Sequence, residues 1–178
     1  MLQISSIQTT LTVFFNNPIG SFTLKDISKE SKLAHTSTKQ NLKNLISLGL
    51  IEQKIEKKGQ RKFPVYKATR NKQFIKYKRI YNLTQLEESG IINYIEEKLL
   101  PKSIVIFGSY QRGEDVEESD IDLFVEAKKE YLNLQPFEKK LKRKIELHFN
   151  EKFTNYPAEL KNNIINGIII YGFLEVYK

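Results

Sequence analysis

Apolar residues recur at helical spacing at Ile7, Leu11, Phe14 and Phe15, which predicts a helix over about Ser5–Asn16. Asn17-Pro18 ends it, because proline cannot continue a helix. A second helix begins after Thr23, a good N-cap, with Asp26 three residues on near the positive helix end and Leu24, Ile27 and Ser31 facing inward. The spacing of Leu42, Leu45 and Ile46 predicts a third helix, capped by Thr36 or Ser37 and closed at Gly49. Then the period changes. Ile51, Gln53 and Ile55 alternate, and Phe63, Val65 and Tyr66 return, so residues 50–69 read as a hairpin with its turn at 57–62. Two helical stretches follow, 71–81 and 84–99, with a broad apolar face of Phe74, Ile75, Tyr77, Ile80 and Tyr81, a breaker at Gly90 and an end at Pro101. Ser103–Phe107 is a short continuous apolar run, a buried strand, and 120–125 and 144–149 alternate as strands do.

Charge divides the chain where the pattern does. Residues 1–80 carry 16 Lys+Arg against 4 Asp+Glu; residues 81–178 carry 13 against 17, within a formal net charge of +8. A basic front half attracts polyanions, because neutralising phosphates releases condensed counterions. There is no cysteine, which removes disulfides and thiolate zinc sites, and the two histidines do not make a histidine-rich metal centre. The longest apolar run, around Ile168–Tyr171, is far short of the roughly 18 residues that span a bilayer. The N-terminus lacks the basic-then-apolar order of a signal peptide, so a cytoplasmic protein without membrane contact is expected.

The order helix, helix, turn, helix, basic hairpin resembles a winged helix-turn-helix, and residues 5–69 are similar to winged-helix DNA-binding domains. Leu42-Lys43-Asn44-Leu45-Ile46-Ser47-Leu48-Gly49-Leu50-Ile51 runs as such recognition helices run into their wing. The resemblance implies double-stranded DNA as a partner. Thr36, Ser37, Lys39, Gln40 and Lys43 would face the major groove, and Lys57, Lys58, Arg61 and Lys62 a phosphate backbone or minor groove. It also implies a homodimer, for which residues 71–99 offer apolar helix surface. The same front half used for protein contact is the plainer alternative.

Chemistry concentrates in 103–125. The strand Ser103–Phe107 runs into Gly108-Ser109-Tyr110-Gln111-Arg112-Gly113, and ten residues separate Ser109 from Asp120-Ile121-Asp122. Gly108 lets backbone approach a phosphate, Ser109 can bond its oxygens, and a helix starting there would aim N–H groups at the same anion. On a strand Asp120 and Asp122 point to one face while Ile121 and Leu123 enter the core. Two carboxylates so placed repel unless a divalent cation joins them, and hard oxygen donors suit magnesium.

Gly-Ser, ten residues, Asp-x-Asp, with Arg112-Gly113 and Ser119 in place, is similar to the signature of minimal nucleotidyltransferases of the DNA polymerase β superfamily. The resemblance covers about residues 90–178. Together with the winged-helix resemblance it implies an α+β chain: a winged helix over 1–70, a connector over 71–99, and over 100–178 an α/β nucleotidyltransferase domain with a mixed sheet. It implies transfer of NMP from a nucleoside triphosphate, ATP above the others, to an acceptor, with two magnesium ions on Asp120, Asp122 and a third carboxylate. Glu146 in the alternating run Lys144–Phe149 is the match for that third position, where the family more often carries aspartate. His148 shares its face and reads as a bystander, though it is the other candidate to complete the site. Arg112 either contacts the triphosphate or braces the acidic loop 114–118. The cluster Lys139, Lys140, Lys142, Arg143 and Lys144 reads as a solvated helix face. Two rivals remain: a DNA-binding regulator whose transferase fold senses nucleotide without turnover, and an antitoxin-like protein that AMPylates a protein partner.

Overall fold

The computed structural model describes residues 5–150, 153 and 156–176. The chain folds as two compact units, Met1–Lys76 and Tyr77–Lys178, with the boundary inside the stretch expected to be a connector.

The first unit is three helices, α1 (Ser6–Asn16), α2 (Leu24–Ser31) and α3 (His35–Ser47), followed by an antiparallel pair, β1 (Ile51–Lys58) and β2 (Arg61–Ala68). Both first helices start on capping boxes: the Ser5 hydroxyl accepts from Gln8 N–H, and the Thr23 hydroxyl from Asp26 N–H. The third start differs from expectation. Its N-cap is Ala34, without a side-chain bond, and Thr38 Oγ1 donates to Ala34 O at 3.0 Å. Neither Thr36 nor Ser37 caps it. The inward face of α3 differs too. Leu42 and Leu45 are buried, but Ile46 is 36% exposed, and Thr38 and Asn41 take the remaining inward positions. The reason is a polar contact with α1: Asn41 Nδ2 donates to the fully buried Thr10 Oγ1 at 2.9 Å. The hairpin is tighter than its basic run suggested. Only Gly59-Gln60 turn, with Gly59 at φ +62°, and Lys57 stands opposite Lys62, Lys58 opposite Arg61.

Helix α4 (Lys72–Ser89) runs without the break expected near 82, then Gly90 at φ +83° separates it from α5 (Ile91–Leu99). The second unit is built on a four-stranded mixed sheet in the order β5 (Ile145–Phe149), β4 (Ile121–Val125), β3 (Ser103–Phe107), β6 (Ile168–Gly172). Strand β3 is antiparallel to both neighbours. Strands β4 and β5 run parallel, joined by a crossover through α7 (Gln135–Leu141), since parallel strands cannot share a tight turn. The short α6 (Gly108–Arg112) follows β3, and α8 (Ala158–Ile165) precedes β6. Each sheet face has its own core. Ile104, Ile106, Ile121, Leu123 and Val125 pack with Ile91, Ile92 and Ile95 of α5. Val105, Phe107 and Phe124 pack with Phe153, Ile164 and Leu174. The α+β class with a mixed sheet is therefore observed. Among the described residues no helix is long and apolar enough to cross a membrane.

The apolar face expected on 71–99 is only partly inward. Phe74 and Leu86 are buried, whereas Tyr77 is 43% and Ile80 55% exposed. In their place Lys78 and Asn82 turn inward, because a buried carboxylate, Asp115, receives them.

Candidate metal and nucleotide centre

Strand pairing assembles the centre. Phe107 ends β3 opposite Asp122, and Asp122 lies opposite Glu146 in the parallel pair. Side chains alternate, so Asp122 leaves the sheet on the face of Phe124, while Ile121 and Leu123 enter the opposite core. Glu146 and His148 stand on that same face of β5. Asp122, Glu146 and His148 each offer one ligand atom, and these atoms lie within 4.8 Å of one another. His148 Nε2 is 3.3 Å from Asp122 Oδ1 and 3.9 Å from Glu146 Oε1. The imidazole also packs on Phe107, with ring centroids 5.1 Å apart.

Gly108 closes the other side. It adopts φ +78°, and a Cβ there would stand 2.3 Å from Asp122 Oδ2. Backbone and carboxylate are thus closer than any side chain at position 108 permits. Ser109 is half-buried in α6, a helix of five residues, so an anion here would rest on Gly108 and Ser109 and little on a helix dipole. Two carboxylates and an imidazole with ligand atoms within 4.8 Å of one another fit a divalent cation by donor chemistry.

The remaining expected residues scatter. Asp120 is exposed, one residue before β4, and is not part of the three-residue cluster. It lines a neighbouring open cleft of about 580 Å³ with Ser119, Glu138, Lys142 and Lys144. Arg112 bonds Glu114 through Nε at 2.8 Å, with both side chains about half exposed. In the first unit Thr36, Ser37, Lys39, Gln40 and Lys43 are exposed on α3, and Lys57, Arg61 and Lys62 are exposed on the hairpin.

One cluster was not visible in the sequence. Lys78 and Asp115 form an ion pair, Lys78 Nζ also donates to Asp115 O at 2.8 Å, and Asn82 Nδ2 bridges Asp115 Oδ1 (2.7 Å) and Tyr110 O (2.8 Å). Arg143 reaches Asp115 Oδ2 at 3.5 Å and is 9% exposed, which corrects its reading as part of a solvated helix face. Burial, with Asp115 nearby, pushes the Tyr110 hydroxyl well above its ordinary value. The only sequence signal was an isolated Lys and Asn at i, i+4 where the helix pattern asks for apolar residues.

Residues 88–171, just under half of the chain, match the nucleotidyltransferase domain family. A protein of Methanocaldococcus jannaschii, named as a candidate protein adenylyltransferase, is 59% identical over 32 residues. That stretch is 18% of this chain and 32% of that protein, so the match spans about a third of the relative's length. Two solved structures show distant likeness. Stf76 from the Sulfolobus islandicus plasmid-virus pSSVx has a TM-score of 0.34 and 21% identity, over 39% of this chain and 88% of that one. A candidate transcriptional regulator from Methanosarcina mazei Go1 has a TM-score of 0.37 and 18% identity, over 54% of this chain and 79% of that one.

Proposed function

We propose, for a chain whose residues 88–171 match a nucleotidyltransferase domain, that it transfers a nucleoside monophosphate from a nucleoside triphosphate to an acceptor hydroxyl. The observation that carries this reading is the pairing of Asp122 with Glu146 across β4–β5, directly against the Gly108 backbone. Gly108 and Ser109 would cradle the terminal phosphates. Asp122 and Glu146 would hold a divalent cation, with Asp120 as the outer carboxylate toward a second ion. Such cations, magnesium in the ordinary case, would neutralise charge on the triphosphate. The chain's own contribution is then positioning: a strand pair fixes the carboxylates, and Glu146 holds and accepts the acceptor proton. The relative named as a candidate protein adenylyltransferase supports ATP as the donor and a protein hydroxyl as the first acceptor to try. Asp120→Asn with Asp122→Asn is expected to abolish cation-dependent pyrophosphate release from ATP, CTP, GTP and UTP. Full activity in the double variant would sink the assignment.

A second reading is favoured by the first unit. We infer that residues 5–69 form a winged helix that binds double-stranded DNA, and that the chain works as a dimer on symmetric sites. What supports it is the hairpin register, which sets Lys57 opposite Lys62 and Lys58 opposite Arg61, beside exposed Lys39 and Lys43 on α3. If the chain is a regulator and no enzyme, salt-dependent DNA binding will appear while pyrophosphate release stays at background with every acceptor. A monomer at micromolar concentration in sedimentation would count against the dimer.

A further inference from the structure

We propose that His148 is a direct ligand of the cation held by Asp122 and Glu146, and that this nitrogen donor tilts the site from magnesium toward manganese and zinc. The inference rests on the cation-binding reading of the preceding section and goes beyond it in naming the donor set and its selectivity.

Three observations point the same way. Nε2 of His148 lies 3.3 Å from Asp122 Oδ1 and 3.9 Å from Glu146 Oε1. Two donors bound at about 2.1 Å to one ion sit roughly 3.0–3.4 Å apart in octahedral or tetrahedral geometry, so these atoms already stand near ligand spacing. Second, the three side chains are fixed on one sheet face by register: Asp122 opposite Glu146, Phe124 opposite His148. Third, the Phe107 ring backs the imidazole at 5.1 Å, and the His148 side chain is only 21% exposed, so its nitrogen is held toward the carboxylates with few alternatives.

The donor chemistry then decides the ion. Magnesium takes oxygen donors in near-ideal octahedra and gives up water reluctantly. Imidazole suits zinc and other first-row ions, whose affinities rise along the series from manganese. Carboxylates alone already bind manganese somewhat better than magnesium, so the wild-type preference is not diagnostic. The change in that preference when the nitrogen is removed is.

The full-length chain is titrated with manganese, following free Mn²⁺ by electron paramagnetic resonance, and magnesium is used as competitor. His148→Asn and His148→Gln are each expected to lower the manganese-to-magnesium affinity ratio by about tenfold. In parallel, ¹⁵N-histidine spectra of the wild type are followed as zinc is added. The chain has two histidines, so His35, the first residue of α3, is the internal control. The His148 Nε2 resonance is expected to move while that of His35 stays. An unchanged ratio, or an unmoved His148 resonance with zinc bound, overturns the inference and leaves the carboxylate site standing. Absence of any cation binding by the wild type, or binding that survives Asp122→Asn, removes the cation-site reading itself. If the variants do not fold, the wild-type resonance alone decides.

Discussion

Lys78 and Asp115 form an ion pair in which each side chain is only 1% exposed. The pair ties α4 to the loop that separates Gly108-Ser109 from Asp120, and Asn82 carries the same tie to Tyr110 O. Arg143, two residues before β5, adds a third anchor on the same carboxylate. Breaking a buried pair by removing one partner leaves a charge without compensation and costs about 3–5 kcal/mol. Asp115→Ala is expected to show that loss in the urea unfolding midpoint of the second unit. Asp115→Asn, which keeps the shape, should lose less. In a double-mutant cycle Lys78→Met and Asp115→Asn together should cost less than their sum, with a coupling of about 0.5–3 kcal/mol. Additive losses would show that the two groups do not depend on each other.

Gly108 makes a sharper demand. At φ +78° any L side chain is strained by about 1–2 kcal/mol. Its Cβ would also collide with Asp122 Oδ2, and the side that yields must be the carboxylate. Gly108→Ala is therefore expected to lower the melting temperature by a few degrees. It should abolish Mn²⁺ binding, and pyrophosphate release with it. Retained cation affinity in a folded Gly108→Ala protein would show that Asp122 is not held where the ion sits.

Much of this centre was legible because its logic is local. Gly108, Ser109, Asp122 and Glu146 lie on or beside short strands, and alternation groups Asp120 with Asp122 and Glu146 with His148, each pair within its own strand. That Glu146 belongs with Asp122 was implied by the resemblance to nucleotidyltransferases, because alternation does not relate one strand to another; the β4–β5 register supplies that link. Asp120 shows the limit. Period-2 reasoning puts it beside Asp122, but β4 begins at Ile121, so Asp120 lies one residue outside the ladder that sets Asp122 opposite Glu146. Lys78, Asn82 and Arg143 were illegible for a different reason. Hydrophobic periodicity assumes that the inward face is apolar, and it fails where a distant carboxylate such as Asp115 makes a polar face the buried one. Ile46 and Asn41 on α3 repeat that lesson on a smaller scale, since Thr10 on α1 draws the amide inward.

The start of α2 gives a pH-dependent test in the first unit. Thr23 Oγ1 and Thr23 N–H both donate to Asp26 Oδ2, at 2.6 and 2.9 Å, and the side-chain bond is the larger cause holding the Asp26 carboxyl below its ordinary value. A depressed native value means that the carboxylate's contribution is present above the unfolded value and is lost as pH falls through the native one. Thr23→Ala is expected to cost about 1 kcal/mol at neutral pH. Its deficit relative to wild type should shrink near pH 3, where Asp26 is protonated in the unfolded chain and increasingly in the native one. An undiminished deficit in the acid urea titration would assign the cost to the hydroxyl alone.

The hairpin sets stability against binding, and the two can be separated in one substitution. Lys57 and Lys62 face each other across β1–β2, and like charges directly opposite are destabilising. Lys62→Glu replaces that repulsion with an opposite-charge pair, so the first unit should gain about 0.2–1 kcal/mol. If the hairpin has no polyanion to meet, nothing offsets that gain and DNA affinity is unaffected. If it contacts a phosphate backbone, the same change removes one counterion-releasing contact and adds a repulsive charge. Affinity then falls for every DNA sequence alike, and Lys62→Ala alone should reduce the slope of log K against log salt by about 1. Fluorescence anisotropy with a random duplex at several salt concentrations, beside thermal unfolding of the same two variants, reads both quantities. Higher stability with weaker, less salt-sensitive binding is the expected result; higher stability with unchanged binding would remove the hairpin from any DNA interface.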